Sequence, residues 1–192
     1  MKANVEAVSA QANLPRKLSR FARNIALLRV LLDCIVALGL IATAFDAGAE
    51  EGWIADKNGC KIANPSPRPK ESVTWDGACV DGFADGSGVM QWYVDAAPGP
   101  RYEGTVRGGV ISGRGKLTLP DGTSYDGEWV NGKQQGNGTL SASDGSTYRG
   151  EWKDGEPDGR GTMRSASGEV VRGNWKQGSY LGPGDDDTGK QR

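Results

Sequence analysis

Residues 125–147 read YDGEWVNGKQQGNGTLSASDGST, and residues 148–170 read YRGEWKDGEPDGRGTMRSASGEV. The two stretches keep tyrosine, tryptophan and glycine at the same positions of a 23-residue period. The period extends in both directions, because similar openings start at Tyr102 and at Val171. A fixed period of this length is typical of stacked structural units that bury a core only against their neighbours.

Two kinds of glycine turn punctuate each period. Asn131-Gly132 and Asp154-Gly155 each lie between two short runs of alternating apolar and polar residues. Such a pair is the strongest local signal for a two-residue hairpin turn with positive φ. The turns that join one repeat to the next are Asp121-Gly122, Asp144-Gly145 and Ser167-Gly168. The sequence therefore predicts an all-β fold, an extended antiparallel meander with one hairpin in each repeat.

Alternation along a strand predicts which side chains share a face. Tyr125, Gly127 and Trp129 fall on one face of the first strand of their repeat, and acidic residues fall on the other. The second strand carries the pair Gly136 and Gly138. We expect this Gly-x-Gly pair to provide a surface free of side chains on which an aromatic ring lies.

A degenerate first copy of the repeat begins at Trp75. Its later glycines are Gly82, Gly86 and Gly88. Tyr102 opens the next copy 27 residues after Trp75, which is four more than the period. We expect the four additional residues within a loop at 96–100. With this copy the array has about five hairpin units, the last of which is truncated.

The order Tyr-x-Gly-Glu-Trp, turn, Gly-x-Gly and closing Asp-Gly resembles the MORN (membrane occupation and recognition nexus) repeat. The copies at 125–147 and 148–170 match this pattern closely, whereas Val171 and Asn174 replace the tyrosine and the glutamate in the last copy. The resemblance covers residues 75–184. It implies a binding or scaffolding repeat, with protein partners first and acidic phospholipids as a second ligand class.

The N-terminal segment resembles a secretory signal and suggests an exported bacterial type of this family. Its basic residues are Arg16, Lys17, Arg20, Arg23 and Arg29. An apolar run follows and ends before Ala47-Gly48-Ala49, the small-residue pattern of a cleavage site. The uncharged stretch at 34–45 is shorter than the ~20 residues that a membrane-spanning helix needs. We therefore expect a cleaved signal over 1–49. An uncleaved anchor helix and a buried helix of a cytoplasmic protein are the alternatives, the former because Asp33 interrupts the run.

The cysteines agree with export to a periplasmic or extracellular compartment. Cys34 lies inside the apolar run and would leave with the signal. Cys60 and Cys79 then remain as an even pair, which favours a disulfide in an oxidising compartment over two free thiols. A metal site is disfavoured, because two cysteines without any histidine make a poor ligand set.

The remaining chain divides into three segments. We expect residues 50–74 to form a loop, tied by the disulfide, that caps the first edge of the sheet, because its prolines exclude a central strand. These prolines are Pro65, Pro67 and Pro69. Residues 75–184 form the repeat sheet. Residues 185–192, which include Asp185-Asp186-Asp187, are expected to be a disordered tail without a function.

A search for catalytic chemistry returns little. The chain has no histidine, no Gly-x-Ser-x-Gly elbow and no phosphate-binding loop. We expect no catalytic residue, no metal ligand and no cofactor. Glu128 and Glu151 recur at one column, and we interpret them as a structural column and not as a catalytic pair. Without residues 1–49 the chain carries 17 basic and 21 acidic residues, and no concentrated basic patch is visible, so nucleic acid is not an expected partner.

The aromatic column has two interpretations. Its members are Tyr102, Tyr125, Trp129, Tyr148, Trp152 and Trp175. They form the core if the single sheet has no other layer to cover it. They line a binding groove if part of the column is open, because Tyr and Trp are favoured at interfaces. The sequence thus predicts a non-enzymatic protein-interaction or scaffolding module of the cell envelope. The alternatives are a binder of acidic phospholipid or glycan surfaces and, less favoured, an enzyme.

Overall fold

A computed structural model describes residues 52–184. The predicted signal or anchor at 1–49 and the tail at 185–192 lie outside the described residues. Within 52–184 the chain is all-β, with thirteen strands in one sheet and no helix. None of the described residues therefore belongs to a helix long and apolar enough to span a bilayer. The strands are β1 Trp53–Ala55, β2 Lys61–Ala63, β3 Glu71–Trp75, β4 Ala78–Val80, β5 Phe83–Val94, β6 Ala97–Arg107, β7 Val110–Thr118, β8 Ser124–Val130, β9 Lys133–Ser141, β10 Thr147–Lys153, β11 Glu156–Arg164, β12 Val170–Lys176 and β13 Ser179–Gly182.

Each repeat is one antiparallel hairpin, as predicted. The strand order from β5 to β13 follows the chain without a crossover. At the predicted hairpin turns, φ is 50° at Asn131 and 77° at Gly132, and 51° at Asp154 and 89° at Gly155. Positive φ at both central residues defines the type I′ turn, whose twist matches that of the flanking strands.

The predicted turns between repeats are also present. Gly122 has φ of 88°, and its N–H donates to the carbonyl of Leu119 at 3.0 Å. The N–H of Leu119 donates to the carbonyl of Thr123 at 2.8 Å and closes the loop. Gly145 and Gly168 occupy the same position in the next two repeats, with φ of 84° and 86°. Only glycine adopts this conformation without a steric penalty, which explains the second glycine column.

From Tyr102 onward, strand pairing is interrupted inside hairpins and uninterrupted between them. Within one hairpin Gly127 pairs with Gly138 but Glu128 pairs with Gln135, so two residues of β9 bulge out. Between repeats, β9 and β10 pair in continuous register, and so do β7 with β8 and β11 with β12. A bulge bends its strand and increases the twist. The three hairpins that begin at Tyr102, Tyr125 and Tyr148 therefore bend at corresponding points.

The hairpin tips also bury side chains. Each tip contributes one buried or half-buried residue, and these residues are Ala84, Ile111, Gln134, Pro157 and Tyr180. The tips are joined to one another, because the turn glycine of each repeat donates its N–H to the tip before it. Gly132 donates to Ile111 at 2.9 Å and Gly155 to Gln134 at 3.0 Å. The tip column was not predicted from the sequence.

The segment at 50–74 differs from the expected loop. Its described part contains β1, β2 and β3. β3 pairs antiparallel with β5 from Glu71↔Val94 to Trp75↔Met90, so the segment covers the sheet edge with a strand of its own. The proline-rich stretch at 64–70 lies outside the strands, as expected. Strands thus stand in most of the segment where a loop is expected, and the proline-rich stretch keeps the loop form because β2 ends before it and β3 begins after it.

The four additional residues of the first repeat also differ from expectation. They lengthen β5 and β6 instead of forming a loop, and the hairpin closes at Asp95-Ala96. Prolines in β6 cannot donate to the ladder. The side-chain amide of Gln91 supplies a donor in this region: it donates to the carbonyl of Trp92 in β5 at 2.7 Å, and to those of Gly99 at 3.0 Å and Pro100 at 3.1 Å in β6. The longer β5 in turn gives β3 the length of strand with which it pairs.

The predicted disulfide between Cys60 and Cys79 is present. Their Cα atoms are 5.8 Å apart, within the usual range for a disulfide. Cys60 is buried, and its N–H donates to the carboxylate of Asp56 at 2.9 Å. Closing a loop of this length stabilises a chain by about 3 kcal/mol in the chain-entropy account. The disulfide thus ties the N-terminal strands to the first repeat.

Candidate functional site

Each tyrosine of the column lies flat on glycine. A Cβ atom at Gly127 would approach the hydroxyl oxygen of Tyr125 to 2.5 Å, and one at Gly138 would approach its Cε2 atom to 2.5 Å. The hydroxyl donates to the carbonyl of Glu128 at 3.2 Å. Tyr148 repeats this arrangement one unit later. The expected packing of aromatic rings on glycine is confirmed for these positions.

The first glycine of the Gly-x-Gly pair has a different role from the one expected. Gly136 has φ of 58°, and a Cβ there would lie 2.5 Å from the Oε2 atom of Glu128, not against a ring. It is a bulge glycine, needed for its positive φ. The Glu128 carboxylate accepts the N–H of Asn137 at 3.1 Å, and that of Glu151 accepts the N–H of Arg160 at 3.2 Å. The glutamate column thus stabilises the bulges, in agreement with its structural interpretation.

Tryptophans connect neighbouring repeats. The indole Nε1 of Trp152 donates to the carbonyl of Gly138 in the preceding repeat at 3.1 Å. The ring of Tyr125 packs edge-to-face between Trp129 at 5.1 Å and Trp152 at 4.9 Å, measured between ring centroids. Such pairs contribute about 0.5–1.5 kcal/mol beyond the burial of their area. The rings therefore form one continuous ladder along the array.

The ladder is core and not an open groove. The six residues are between 0% and 4% exposed, and they are Tyr102, Tyr125, Trp129, Tyr148, Trp152 and Trp175. At this burial, the residues predicted to line a groove are closed to a partner in this structure. The core interpretation of the column agrees with this burial, and the groove interpretation was wrong about its openness.

Burial also changes the acidity of the ladder. It raises the pKa of Tyr102 to about 12, although the hydrogen bond to Thr105 opposes the shift. For Tyr125, burial and then the nearby Glu128 carboxylate raise the pKa further. For Tyr148, burial and then Glu151 act in the same direction. All three phenols are neutral at physiological pH and keep their proton for the hydrogen bonds described above.

A trough on the opposite face of the sheet is the candidate binding site. It crosses the strands from β7 to β12 and has a volume of about 870 Å³. Five basic side chains line it, all of them exposed: Arg114, Lys116, Arg149, Arg160 and Arg172. One acidic side chain, Asp126, lies among them. The rest of the lining consists of glycine and of neutral serine, threonine and asparagine side chains. We call this surface the basic trough.

Strand register explains how the basic trough assembles. Asp126, Thr139 and Arg149 are consecutive cross-strand partners, and the row continues through Thr162 to Arg172. The expectation that the chain lacks a concentrated basic patch is therefore wrong for the folded protein. Its basic residues are far apart along the sequence, and pairing brings them together. The signal was the position of Arg149 and Arg172 at the same column of the repeat.

No large apolar side chain lines the basic trough. The exposed large apolar residues of the described chain lie elsewhere, and they are Val80, Val130, Val170 and Leu181. Within residues 52–184, no three cysteine or carboxylate side chains converge where a metal ion would bind. The expected lack of catalytic residues and cofactors stays a prediction.

The fold and its two faces define a repeat protein of stacked β-hairpins. The sequence model of the MORN repeat matches residues 76–94, 102–124, 125–147 and 148–170. These four segments are MORN repeats, and the hairpin array belongs to the MORN repeat family. The fifth hairpin, β12 with β13, lies beyond the matched residues. No curated protein sequence matches the chain.

Proposed function

We propose that the array is a non-enzymatic interaction module whose basic trough binds an acidic segment of a partner protein. The observation that carries the proposal is the excess of five basic side chains over one acidic side chain in an open trough. Electrostatic complementarity of this kind steers association and selects partners by charge. The buried ladder on the other face holds the trough in one shape, so that little ordering is needed on binding.

A protein segment fits the trough better than a membrane surface does. The basic side chains lie along a concavity, where an extended polypeptide contacts several of them at once. Stable attachment to a bilayer is strengthened by apolar side chains that enter it, and none lines the trough. Glycans are recognised largely through exposed aromatic rings, whereas the ladder rings are buried. Acidic phospholipid is the second candidate, because the same cations would attract its headgroups.

The experiment compares the two ligand classes with one charge reversal. A labelled glutamate-rich peptide and vesicles of neutral lipid with and without phosphatidylserine are offered to the unaltered chain, to R149E and to K133E. Arg149 lines the trough, whereas Lys133 is an equally exposed cation at a hairpin tip outside it. We expect R149E to weaken peptide binding about tenfold and K133E to change it little. Equal losses in both variants, or binding to acidic vesicles alone, would contradict the proposal.

Export to the cell envelope or the exterior is part of the same proposal. The disulfide between Cys60 and Cys79 supports it, since such bonds persist in oxidising compartments. Mass spectrometry of the protein from its native compartment should show a chain that begins at Glu50 and carries this bond. An intact N-terminus recovered in the membrane fraction would favour the anchored form instead.

A further inference from the structure

We propose that the acidic segment Asp185–Asp187 of this same chain occupies one end of the basic trough and competes with the partner there. The proposal rests on the proposed function, because it takes the trough to be a site for acidic segments. It also assigns a role to a tail that the sequence alone left without one. The competing segment makes access to the trough conditional on displacement.

The described chain ends in the basic trough. Gly184 is buried and lines the trough beside Arg172 and Gly173. The chain passes close over β12 at this point, because a Cβ at Gly173 would lie 2.8 Å from the carbonyl carbon of Gly182. Asp185 follows Gly184 directly. The acidic segment therefore starts at the edge of the site and needs no linker to reach it.

The carboxylates of the acidic segment are close enough together to reach neighbouring basic rows. Arg172, Arg160 and Arg149 belong to the neighbouring strands β12, β11 and β10. Strands lie about 4.8 Å apart, so these three rows span about 10 Å across the sheet. In extended chain every second side chain faces the same way, so Asp185 and Asp187 share a face and lie about 7 Å apart. A tail that crosses the strands along the trough thus brings two carboxylates to the arginine rows, while the carboxylate of Asp186 faces away from the sheet.

The order of charges further along the tail agrees with the same path. Lys190 lies six residues after Gly184, or about 20 Å in extended chain. Asp126, the one acidic side chain of the lining, lies on β8, four strand spacings or about 19 Å from β12. Counted from Gly184, the tail therefore carries acidic residues and then a basic one, whereas the trough presents basic residues and then an acidic one.

Attachment within one chain makes even a weak contact effective. A segment joined directly to its site has an effective concentration in the millimolar range. If the tail alone binds with a dissociation constant near that concentration or somewhat below it, the apparent affinity for a partner falls about three- to tenfold. A partner with a longer acidic run would displace the tail, whereas a short one would not. The tail would thus set the minimum number of acidic residues that a partner segment needs in order to bind.

The test uses the full chain and a labelled eight-residue oligoaspartate as probe. Binding is measured by fluorescence anisotropy at low ionic strength for the unaltered chain and for the variant D185N/D186N/D187N. The control variant is D81N/D95N/D154N, which removes the same charge at turn residues with φ of 51°, a conformation that asparagine tolerates. In parallel, a carbodiimide cross-link is sought between Asp185–Asp187 and the amine of R172K.

We expect the tail variant to bind the probe about three- to tenfold tighter than the unaltered chain, the control variant to match the unaltered chain, and the cross-link to join residues of one chain. Equal affinity of the tail variant and the unaltered chain would overturn the proposal while leaving the acidic-segment function of the trough in place. Failure of every variant to bind the probe would overturn the proposed function. In that case the cross-link decides: its absence, or its formation only between two chains, overturns occupation of the trough by the tail.

Discussion

Replacing Gly138 with alanine should damage the ladder at a crowded point. The added Cβ would lie 2.5 Å from the Cε2 atom of Tyr125, where ordinary contact begins near 3.4 Å. The ring has no free direction in which to move, because Trp129 and Trp152 pack edge-to-face on either side of it. The substitution must therefore displace the ring or separate the two strands beneath it.

The size of the effect follows from the contacts that the ring makes. Overpacking of a core costs about 1–3 kcal/mol. A displaced ring also weakens the hydrogen bond to Glu128, worth ~1 kcal/mol, and part of two aromatic pairs. Alanine restricts the unfolded chain more than glycine does, which offsets the loss by about 0.4–1 kcal/mol. We expect a net loss of about 2–4 kcal/mol in the free energy of unfolding.

The assay is urea unfolding of the unaltered chain, of G138A and of N137A, followed by tryptophan fluorescence. Asn137 is adjacent but exposed on the opposite face, and its hydrogen bond to Glu128 uses the backbone N–H, which alanine keeps. N137A should therefore change the free energy of unfolding by less than about 0.5 kcal/mol. Similar losses in the two variants, or a loss below about 1 kcal/mol in G138A, would refute the assignment of faces.

Three further predictions concern the ladder and the disulfide. Tyr125→Phe and Tyr148→Phe should each lower the free energy of unfolding, measured by urea titration, by about 1 kcal/mol and leave binding of an acidic peptide intact. Weaker binding with unchanged stability would show that the rings belong to the binding site. Because the folded-state pKa values of Tyr102, Tyr125 and Tyr148 are raised, their stabilisation is complete below pH ~10, the unfolded value, and is lost as pH rises through about 12 for Tyr102. The absorbance of these three phenolates should therefore rise only at the pH at which circular dichroism shows unfolding. Ionisation at a lower pH would contradict the burial of the rings. Replacing Cys60 and Cys79 with serine should remove about 3 kcal/mol from the N-terminal strands, seen as faster hydrogen exchange in β1–β4 but not in β10 and β11; uniform acceleration would show that the bond stabilises the whole array.

Local chemistry made the hairpins and the faces predictable. Asn131-Gly132 allows few conformations other than a type I′ turn, and the turn sets the register of the strands beside it. Once register is set, a period of two decides that Tyr125 and Gly138 share a face. The bulge was not predictable in this way. Gly136 was assigned to the ring-bearing surface by its distance from Gly138, whereas its φ of 58° places it against a carboxylate.

The candidate site was harder to predict because it is a property of pairing between repeats. No single strand carries more than two of the basic residues that line the trough. The acidic total of the chain hides them, since the acids gather at turns such as Asp81, Asp95 and Asp154. The burial of the hairpin tips was missed because Gln134 and Pro157 do not look like core residues. Both are buried, and they pair with the ladder tryptophans Trp129 and Trp152.

The uninterrupted pairing between repeats bears on how such a chain changes length. A tandem duplication of residues 125–147 would present its new first strand to a copy of β7 or β9 with the same glycines and the same ring positions. The strands at the junction would pair as they do at the existing junctions, so the insertion of a whole repeat leaves no mismatched strand pair. A duplication would also add two strands, about 10 Å, to the length of the trough. The reach of the molecule toward a longer ligand is thus adjustable by gene duplication alone, without any redesign of its interior.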